Sequence, residues 1–452
     1  SFKSMTLLQN NISKVFNNSL CTLNSKEVNK KTVFFAVKGK NTDGHLFVPE
    51  AIKKNCKFVV VKRGYKNLGK KKEKKFIRCK SPLKYLENVA TYKRNQSKGI
   101  FFGITGSFGK TTLKFMLSFL LSKVKKTYSS PKSFNNHFGL PLSLSNLPAN
   151  SIYNIFELGM NNKGEIHNLS KILQPDIGVI TNIGPAHLEK LKNIKNIALC
   201  KSEIINNIKK NGTIFLNIDD KYFHLLKKKS KKNKLKILTF GKSNKANFQL
   251  IKKIILKNKK YILVKIINKN YKFKVKNFND SFIMNFLIVI SIFSYLKINK
   301  KILIKYINKF PTPSGRGSFV KKIINNQEVK ILDESYNANP ISMKNAVMNF
   351  SLLKINKKKV AILGDMLELG KMTKKFHKNL ARELNGSNID TIHCVGKKIK
   401  DTFSHLNLRK KGQYFKDINQ LKKNKKNIFK NNSIYLLKSS NSVGLNQFLK
   451  EC

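Results

Sequence analysis

The residues best suited to chemistry in this 452-residue chain form a short loop, GITGSFGKTT, at positions 103–112. Glycines at 106 and 109 allow backbone N–H groups to face phosphate oxygens, and a helix that starts here adds its partial positive charge. The Lys110 amine can reach the β- and γ-phosphates of a nucleotide, and the Thr111 hydroxyl can hold Mg²⁺. The spacing departs from the usual phosphate loop because Ile104 stands where the first glycine belongs.

A chance glycine turn is a poor explanation for this loop, because a buried strand, the loop, a lysine, a threonine pair and a helix follow one another in order. We therefore expect the loop to bind a nucleoside triphosphate. The residues expected to contact ATP here are Thr105, Gly106, Ser107, Phe108, Gly109, Lys110, Thr111 and Thr112.

Two further polar side chains follow predicted strands near the loop, Glu157 in ELGM and His187 in TNIGPAH. Ligands bind at the carboxyl ends of the strands in an open α/β sheet, so these side chains and the loop are expected to converge. With Thr111 they could complete the coordination of Mg²⁺. A lone histidine is more often a hydrogen-bonded core residue, but the position of His187 after a strand and a turn favours a functional role.

A second polar group follows strands in the C-terminal third of the chain, where DESYNANP occupies residues 333–340. Asp333 could accept ribose hydroxyls, and Tyr336 and Asn337 could line the nucleotide. Asn339 precedes Pro340, so it is also expected to cap a helix. The GDMLELG segment at 364–370 follows another strand, and its carboxylates are interpreted as capping groups rather than catalysts.

These candidates need parallel strands and crossover helices to bring them together, and the sequence indicates both. From residue 99 onward strand and helix signals alternate, which is typical of βαβ units. The first set of predicted elements is strand Ile100–Thr105, helix Lys110–Ser122, strand Ile152–Leu158, helix Gly164–Leu173 and strand Ile177–Asn182. The second set is strand Val329–Asp333, helix Ser342–Leu353 and strands Val360–Gly364, Thr391–Val395 and Ser433–Lys438.

The chain of 452 residues exceeds the size at which one core keeps growing, which favours two to four domains. The pattern along the chain divides it into three α/β domains. Residues 1–97, with β-type runs at 32–37 and 58–62, are expected to form a small N-terminal α/β domain. Residues 98–312 form a central P-loop ATPase domain with a doubly wound, mostly parallel sheet. The Pro- and Gly-rich segment FPTPSGRG, at 310–317, is the linker to a Rossmann-like α/β domain at 313–452.

The formal charge of +68 arises from 91 Lys and Arg against 23 Asp and Glu. The lysines are spread over the whole chain with abundant Asn and Ile, so we interpret the charge as a solvated surface bias. Nucleic-acid binding remains a minority alternative. A field of this sign would attract anionic nucleotides. The Lys-rich segments at 227–236 and 422–426 are interpreted as exposed turns or helix faces.

Cysteine spacing and hydropathy indicate the compartment. The six cysteines lie far apart without C-x-x-C or metal-ligand spacing, which is typical of thiols in a reducing environment. The longest apolar run, at 284–296, is too short to span a bilayer, and the N-terminus lacks a signal-peptide core. We therefore expect a soluble cytoplasmic protein without membrane insertion.

Six segments in colinear order resemble the Mur ligases of peptidoglycan synthesis. They are GITGSFGKTT, SFNNHFGLPLSL (133–144), ELGMNNKGEI (157–166), PDIGVITNIGPAHLE (175–189), DESYNANP and LGDMLELG (363–370). Sibling ligases carry a histidine in the third-domain motif, whereas YNANP at 336–340 is similar to the branch that adds D-alanyl-D-alanine. FFAVKGK at 34–40 and DGHLF at 43–47 resemble the UDP-substrate domain of that branch.

The resemblance implies an ATP-dependent amide-bond ligase that uses ATP and Mg²⁺. The implied substrates are UDP-N-acetylmuramoyl-tripeptide and D-alanyl-D-alanine, which are joined through an acyl phosphate to give UDP-MurNAc-pentapeptide, ADP and phosphate. A monomer without a nucleic-acid partner is expected.

Site residues are carried over onto matching positions. Lys110, His187 and Lys201 would be catalytic, and Lys201 matches a lysine that several relatives carbamylate to coordinate a second Mg²⁺. The implied metal ligands are Thr111, Glu157 and His187. The implied nucleotide contacts beyond the loop are Asn285, Arg316, Asp333, Tyr336, Asn337 and Asn339. The implied substrate contacts are Ser25, Asp43, His45, Asn135 and Asn136.

The chain departs from the family pattern at three places. Phe108 stands where Asn is common, NSK at 24–26 replaces D-S-R, and KSSN at 438–441 replaces K-G-S-R. Two alternatives stay open. One is another ligase of the superfamily, such as a folylpolyglutamate synthase or an earlier Mur ligase. The other is a nucleic-acid-binding ATPase that uses the positive charge.

Overall fold

The computed structural model describes residues 12–13, 15–66, 70–324 and 326–452, which contain three sheets in succession along the chain. A four-stranded sheet is followed by a nine-stranded and then a six-stranded sheet. The predicted three-domain α/β architecture is confirmed. The boundaries that we propose, after residues 97 and 312, fall in segments between the sheets.

The N-terminal domain has an all-parallel sheet in the order β1-β2-β3-β4. Its strands are β1 (Leu20–Thr22), β2 (Thr32–Phe35), β3 (Phe58–Lys62) and β4 (Phe76–Cys79), and its helices are α1 (Val48–Lys53) and α2 (Pro82–Gln96). Helix α2 starts where it does because the Ser81 side chain accepts a hydrogen bond from the N–H of Lys84 and Pro82 occupies the first turn.

The central sheet has the order β13-β12-β11-β10-β9-β8-β5-β7-β6. It is parallel from β6 to β11, and β12 and β13 extend it as antiparallel strands. The strands are β5 (Ile100–Thr105), β6 (Thr127–Ser129), β7 (Tyr153–Glu157), β8 (Ile177–Ile180), β9 (Thr213–Asn217), β10 (Lys236–Gly241), β11 (Phe248–Leu256), β12 (Lys259–Ile266) and β13 (Lys269–Lys274). The helices are α3 (Lys110–Leu121), α4 (Gly139–Ser145), α5 (Glu165–Leu173), α6 (Leu188–Leu191), α7 (Ile194–Lys201), α8 (Phe223–Lys232), α9 (Asp280–Tyr295) and α10 (Lys301–Tyr306).

Strand β5 lies between two apolar layers, which explains its continuous hydrophobic run. Phe101 packs into one core with helix α5, while Phe102 and Ile104 pack into the other with helices α3 and α9. Helix α9 carries the longest apolar run of the chain. Among the residues that the structure describes, no helix has the length and apolar character needed to cross a membrane.

The C-terminal sheet has the order β14-β15-β19-β16-β17-β18, with only the β14–β15 pair antiparallel. Its strands are β14 (Ser318–Ile324), β15 (Gln327–Asp333), β16 (Lys358–Gly364), β17 (Thr391–Val395), β18 (Lys411–Phe415) and β19 (Ser433–Lys438). Its helices are α11 (Pro340–Ser351), α12 (Thr373–Asn385), α13 (Lys400–Ser404), α14 (Ile418–Lys423), α15 (Lys425–Ile428) and α16 (Leu445–Glu451).

A buried arginine joins the N-terminal and central domains. Arg94, on α2, donates hydrogen bonds to the carbonyl oxygens of Leu173 at 2.6 Å and Gln174 at 2.7 Å. Its guanidinium lies 3.6 Å from the ring centroid of Phe101, and Asp176 lies 3.6 Å away. These bonds satisfy a buried charge, so α2 has a defined position on the central domain.

Candidate nucleotide and metal site

A cleft of about 580 Å³ lies between the central and C-terminal domains. Its volume falls in the range of sites that hold small molecules. We call it the interdomain cleft. The candidate residues that line it are Ser107, Phe108, Gly109, Lys110, Thr111, Thr112, Asn135, Asn136, Glu157, His187, Lys201, Arg316, Tyr336, Asn337 and Asn339. The sequence motifs from two domains therefore meet in one place.

The phosphate loop requires glycine at two positions. Gly106 has φ 149°, and a Cβ there would lie 1.9 Å from the Thr181 hydroxyl oxygen. Gly109 has φ 81° and precedes α3, so the first N–H groups of the helix are not used within the helix and can face the cleft. The loop thus has the geometry of an anion cradle.

The next strand end holds the loop in place. The Thr181 hydroxyl donates to the carbonyl of Phe108 at 2.9 Å, and the Asn182 side chain exchanges hydrogen bonds with both backbone groups of Phe108. Ser107 Oγ donates to the carbonyl of Gly184 and accepts from its N–H. Because backbone groups of residue 108 are used, a phenylalanine side chain is compatible with the loop.

Two lysines share an acceptor inside this loop. Lys110 Nζ donates to the carbonyl of Gly106 at 2.8 Å, and Lys201 Nζ donates to the same oxygen at 2.9 Å. Burial lowers the pKa of Lys110, and Glu157 counteracts this effect. Burial and then the charge of Lys110 hold the pKa of Lys201 well below its ordinary value. Its surroundings therefore disfavour the charged form of Lys201.

Glu157 is the buried carboxylate of the cleft. It accepts hydrogen bonds from the Thr111 hydroxyl at 2.6 Å and from Asn135 Nδ2 at 2.8 Å. Burial raises its pKa, but Lys110 and these hydrogen bonds outweigh burial, so the pKa lies below its ordinary value. Glu157 is therefore an ionised carboxylate at neutral pH.

The C-terminal domain closes the cleft through one arginine and one tyrosine. The Tyr336 hydroxyl donates to Ser133 Oγ of the central domain at 2.7 Å. The guanidinium of Arg316 lies 3.9 Å from the Tyr336 ring centroid and 3.5 Å from the same Ser133 oxygen. A cation is thereby held opposite the phosphate loop.

The polar residues of the cleft fit a Mg²⁺ ion that takes most of its ligands from the nucleotide phosphates and water. In the part of the chain that the structure describes, no group of three or more His, Cys, Asp or Glu side chains could hold a metal. Thr111 and Glu157 form a hydroxyl and carboxylate pair, and His187 lines the same cleft. Mg²⁺ commonly takes one or two carboxylates, with the other positions filled by phosphate and water. This donor set matches that preference.

Several candidate residues serve the fold around the cleft instead of lining it. Thr105 is buried, and its hydroxyl has no hydrogen-bond partner. Asn285 Nδ2 donates to the carbonyl of Gly109 at 3.2 Å, behind the loop. Asp333 accepts hydrogen bonds from the N–H of Gly315 and from Ser335, so its carboxylate stabilises the turn that carries Arg316.

Three candidate substrate residues lie in the N-terminal domain, away from the interdomain cleft. Ser25 donates to Glu50 Oε2 at 2.5 Å. Asp43 accepts from the N–H and the ring of His45, and His45 Nε2 accepts from the N–H of Lys62. These residues order two loops of that domain.

The asparagines of two motifs have capping roles as well as a place in the cleft. Asn136 Oδ1 accepts from the N–H groups of Phe138 and Gly139 at the start of α4. Asn339 and Ser342 form a reciprocal capping box at α11, as expected from the Asn-Pro pair. Asn337 Oδ1 accepts from the adjacent N–H of Ala338.

Sequence reasoning missed residues whose partners are on another domain. Ser133 opens the SFNNHFGLPLSL segment, and Glu368 lies in LGDMLELG, where its carboxylate is 2.6 Å from His187 Nδ1. The predicted capping role fits Asp365, which accepts a hydrogen bond from the N–H of Ile399 just before α13. It does not fit Glu368, whose partner is His187. The signal available in the sequence was that Ser133 and Glu368 both belong to motifs that resemble the family pattern.

Lys438 was assigned no role, although it is buried beside the cleft. Its Nζ donates to Glu334 Oε2 at 3.2 Å and to the carbonyl of Asn337 at 3.1 Å. It therefore fixes the DESYNANP turn against the end of β19.

Comparisons with known proteins agree with this geometry. The Mur ligase middle domain matches residues 104–293, and the Mur ligase, glutamate ligase domain matches residues 315–441. A UDP-N-acetylmuramoyl-tripeptide–D-alanyl-D-alanine ligase of Rickettsia prowazekii is 33% identical over 442 residues, which cover 97% of this chain and 96% of that protein. A ligase of the same name from Bacillus subtilis is 28% identical over 431 residues, covering 94% and 91%.

Solved structures show the same fold. The MurF ligase of Thermotoga maritima in complex with ADP has a TM-score of 0.81 at 27% identity and covers 96% of each chain. MurF from Acinetobacter baumannii has a TM-score of 0.85 at 23% identity and covers 98% of each chain. Two family models, a relative matched over nearly its whole length and the convergent cleft together show that the chain belongs to the Mur ligase family.

Proposed function

We propose that this chain is an ATP-dependent ligase that joins D-alanyl-D-alanine to UDP-N-acetylmuramoyl-tripeptide in peptidoglycan synthesis. The products are UDP-MurNAc-pentapeptide, ADP and phosphate. The observation that carries the proposal is the meeting of the phosphate loop, the buried Glu157 and the Arg316–Tyr336 pair in one cleft. Relatives that bear this activity as their name match the chain over almost its full length.

The chain's own residues supply position and charge for phosphoryl transfer. N–H groups at the start of α3 and the Lys110 ammonium hold the phosphates of ATP. Arg316 adds a second cation from the opposite wall, and Tyr336 with Asn337 and Asn339 borders the nucleoside. Preorganised charges of this kind act where negative charge develops, and they require no reorganisation during the reaction.

The reaction has two steps. An oxygen of the tripeptide's terminal carboxylate attacks the γ-phosphorus, the bond between that phosphorus and the β-phosphate oxygen breaks, and ADP leaves. The free amine of D-alanyl-D-alanine then attacks the acyl carbon. The carbon–oxygen bond to phosphate breaks, the amine loses a proton, and phosphate leaves with the former carboxylate oxygen.

Thr111, Glu157 and His187 would hold Mg²⁺, and Lys201 borders the same space. When bound, the ion neutralises charge on the transferring phosphoryl group. The short Thr111–Glu157 hydrogen bond keeps both donors ready for it. Asn135 Nδ2 donates a hydrogen bond to the other oxygen of Glu157 and so fixes the orientation of this carboxylate.

The N-terminal domain would bind the UDP end of the substrate. Ser25, Asp43 and His45 lie on its loops, and the small, buried core of that domain gives them a fixed position. The lysine excess supports this assignment, because every nucleotide substrate is anionic.

An ADP-release assay tests the proposal. ADP formation should require both the UDP-linked tripeptide and D-alanyl-D-alanine, and Lys110→Ala should abolish it. Lys210→Ala, at an exposed turn, is the matched control and should retain the parent rate. The assignment would be rejected if ADP formed as fast when one of the two substrates is left out as when both are present.

The choice of amine separates this activity from those of sibling ligases. Glutamate, diaminopimelate and D-alanyl-D-alanine should be compared as acceptors at equal concentration. Stimulation by glutamate or diaminopimelate in place of the dipeptide would assign the chain to an earlier step. Tripeptides with lysine or diaminopimelate at position three identify the preferred donor.

A further inference from the structure

The pair formed by His187 and Glu368 lies where the central and C-terminal domains meet. His187 Nδ1 and Glu368 Oε2 are 2.6 Å apart, and both residues line the interdomain cleft. The N–H of Glu189 donates to the carbonyl of Glu368 at 3.0 Å. A Cβ at Gly370 would lie 3.0 Å from the Glu189 Cα, so the two turns are in close contact. Side-chain, backbone and packing contacts therefore coincide at this point.

Both members of the pair have unusual backbone conformations. His187 has φ 57° and Glu368 has φ 63°, in the left-handed region that residues other than glycine rarely adopt. Such a backbone conformation is strained and persists only where its surroundings fix it. The next residues, Leu188 and Leu369, are buried in the same apolar cluster. Packing directly beneath the pair thus holds both turns in register.

The contact selects the state of the imidazole. A carboxylate accepts a hydrogen bond from Nδ1–H, which leaves the lone pair of the neutral ring on Nε2. Histidines that bind metals usually donate their other ring N–H to a carboxylate or carbonyl, and this fixes the tautomer and the ring orientation. Glu368 is such a carboxylate, but it belongs to a different domain from the histidine that it orients.

We propose that Glu368 is a positioning residue, supplied by the C-terminal domain, that prepares His187 Nε2 to bind the divalent cation. The proposal rests on the proposed function, in which His187 is a metal ligand. It means that the affinity of the site for the cation depends on contact between the two domains. Full support for phosphoryl transfer is then available only when the C-terminal domain has docked on the central domain.

Two substitutions distinguish the loss of the hydrogen-bond acceptor at residue 368 from a change in its backbone conformation. Glu368→Gly removes the acceptor and accommodates the left-handed backbone, whereas Glu368→Gln keeps an oxygen that can accept from Nδ1–H. Glu328→Gln is the matched control, because Glu328 pairs with Lys321 on the exposed β14–β15 hairpin. Binding of Mn²⁺ in the presence of a non-hydrolysable ATP analogue is measured by electron paramagnetic resonance.

Mn²⁺ affinity is expected to fall roughly tenfold or more in Glu368→Gly, as for other losses of a residue that supports a metal ligand. Glu368→Gln should retain most of the affinity, and Glu328→Gln all of it. The Mg²⁺ concentration for half-maximal ligation should rise in parallel, while KM for the UDP-linked substrate stays constant. Parent-like Mn²⁺ affinity in Glu368→Gly would overturn the proposal, and so would equal losses in the Gly and Gln variants.

A second measurement does not depend on any Glu368 variant folding. In the nucleotide-bound parent protein labelled with ¹⁵N-histidine, the His187 signal should report the Nδ1–H tautomer. The signal is assigned by its absence in His187→Gln. An Nε2–H tautomer would overturn the proposal. Failure of the proposed function appears separately, as a parent protein that makes no pentapeptide, whereas these binding and tautomer measurements require no ligation.

Discussion

Lys110 and Lys201 donate hydrogen bonds to one acceptor, the carbonyl oxygen of Gly106 in the phosphate loop. Two buried ammonium groups that share an acceptor repel each other, which favours loss of a proton from one of them. Glu157 supports the charge of Lys110, whereas burial and Lys110 itself lower the pKa of Lys201. We infer a charged Lys110, which holds phosphate, and a neutral Lys201.

A neutral amine is the form that adds CO₂, so Lys201 is expected to become a carbamate in bicarbonate buffer. A carbamate on Lys201 would supply an oxygen that can bind Mg²⁺. Protein equilibrated with ¹³C-bicarbonate should show one carbamate signal by NMR, and Lys201→Met should remove it. Activity should fall in CO₂-depleted buffer and return when bicarbonate is added.

Lys114 is the control for this prediction. Burial lowers its pKa to about 8, but its Nζ donates to the carbonyl oxygens of Ser130 and Lys132. Two backbone carbonyl oxygens therefore hold the Lys114 amine. A ¹³C signal that survives Lys201→Met and disappears in Lys114→Met would contradict the assignment.

Gly106→Ala is expected to weaken ATP binding by at least about tenfold, which corresponds to roughly 1.4 kcal/mol. The added Cβ would lie 1.9 Å from the Thr181 hydroxyl oxygen, so the loop must shift. Isothermal titration calorimetry with ATP measures the effect. Gly64→Ala is the matched control, because Gly64 also has a positive φ but a Cβ added there would have no atom within 4 Å. Equal affinities in the two variants would show that the loop does not hold the nucleotide.

Tyr336→Phe removes the hydrogen bond to Ser133 but keeps the ring on which Arg316 stacks. One such bond contributes about 1 kcal/mol, so KM for ATP should rise roughly fivefold while kcat changes little. Ser133→Ala should have a similar effect, and the double variant should be no worse than either single one. Additive losses would mean that the two residues do not act as a pair.

Acid should destabilise the C-terminal domain through His393. Burial, and then the charge of Lys430, lower the pKa of His393 to about 4, and its Nδ1 accepts a hydrogen bond from the N–H of Gln413. The unfolded chain binds a proton below pH 6.5 and the folded chain resists it, so stability falls as pH drops from 6.5 toward 4. The loss should be roughly 2 kcal/mol by pH 5.

Thermal unfolding at pH 7.5 and pH 5 measures this loss. His393→Asn keeps an acceptor for the Gln413 N–H and cannot be protonated, so its Tm should depend less on pH than that of the parent. His224→Asn, on the exposed side of α8, should behave like the parent. An identical pH dependence in His393→Asn and the parent would assign the acid sensitivity to other groups.

The fold was largely predictable where a hydrophobic run and the turn or loop residues that follow it indicate the same element. Strand Ile100–Thr105 was predicted to the residue, because an apolar run ends at a glycine loop and a helix follows. The β11–β13 extension was not identified, because adjacent lysine pairs in β11 and β12 interrupt the apolar–polar alternation that indicates a strand. The turn between β11 and β12 has positive φ at Lys257 and Asn258, which only the backbone reveals.

The candidate site was predictable in part, for a similar reason. Motifs that end neighbouring strands converge by sheet geometry, as Glu157 and Thr111 do. Contacts between domains have no such rule. Ser133 meets Tyr336 from 203 residues away, and no local spacing indicates that partnership. His187 and Glu368 belong to the same class of contact.

The most direct test of acyl transfer follows an oxygen atom. UDP-MurNAc-tripeptide with ¹⁸O in its terminal carboxylate is incubated with the protein, ATP and D-alanyl-D-alanine, and the phosphate formed is analysed by mass spectrometry. We predict one ¹⁸O atom in each phosphate released with pentapeptide, because the carboxylate oxygen leaves on phosphorus. Pentapeptide formed with unlabelled phosphate would contradict the account.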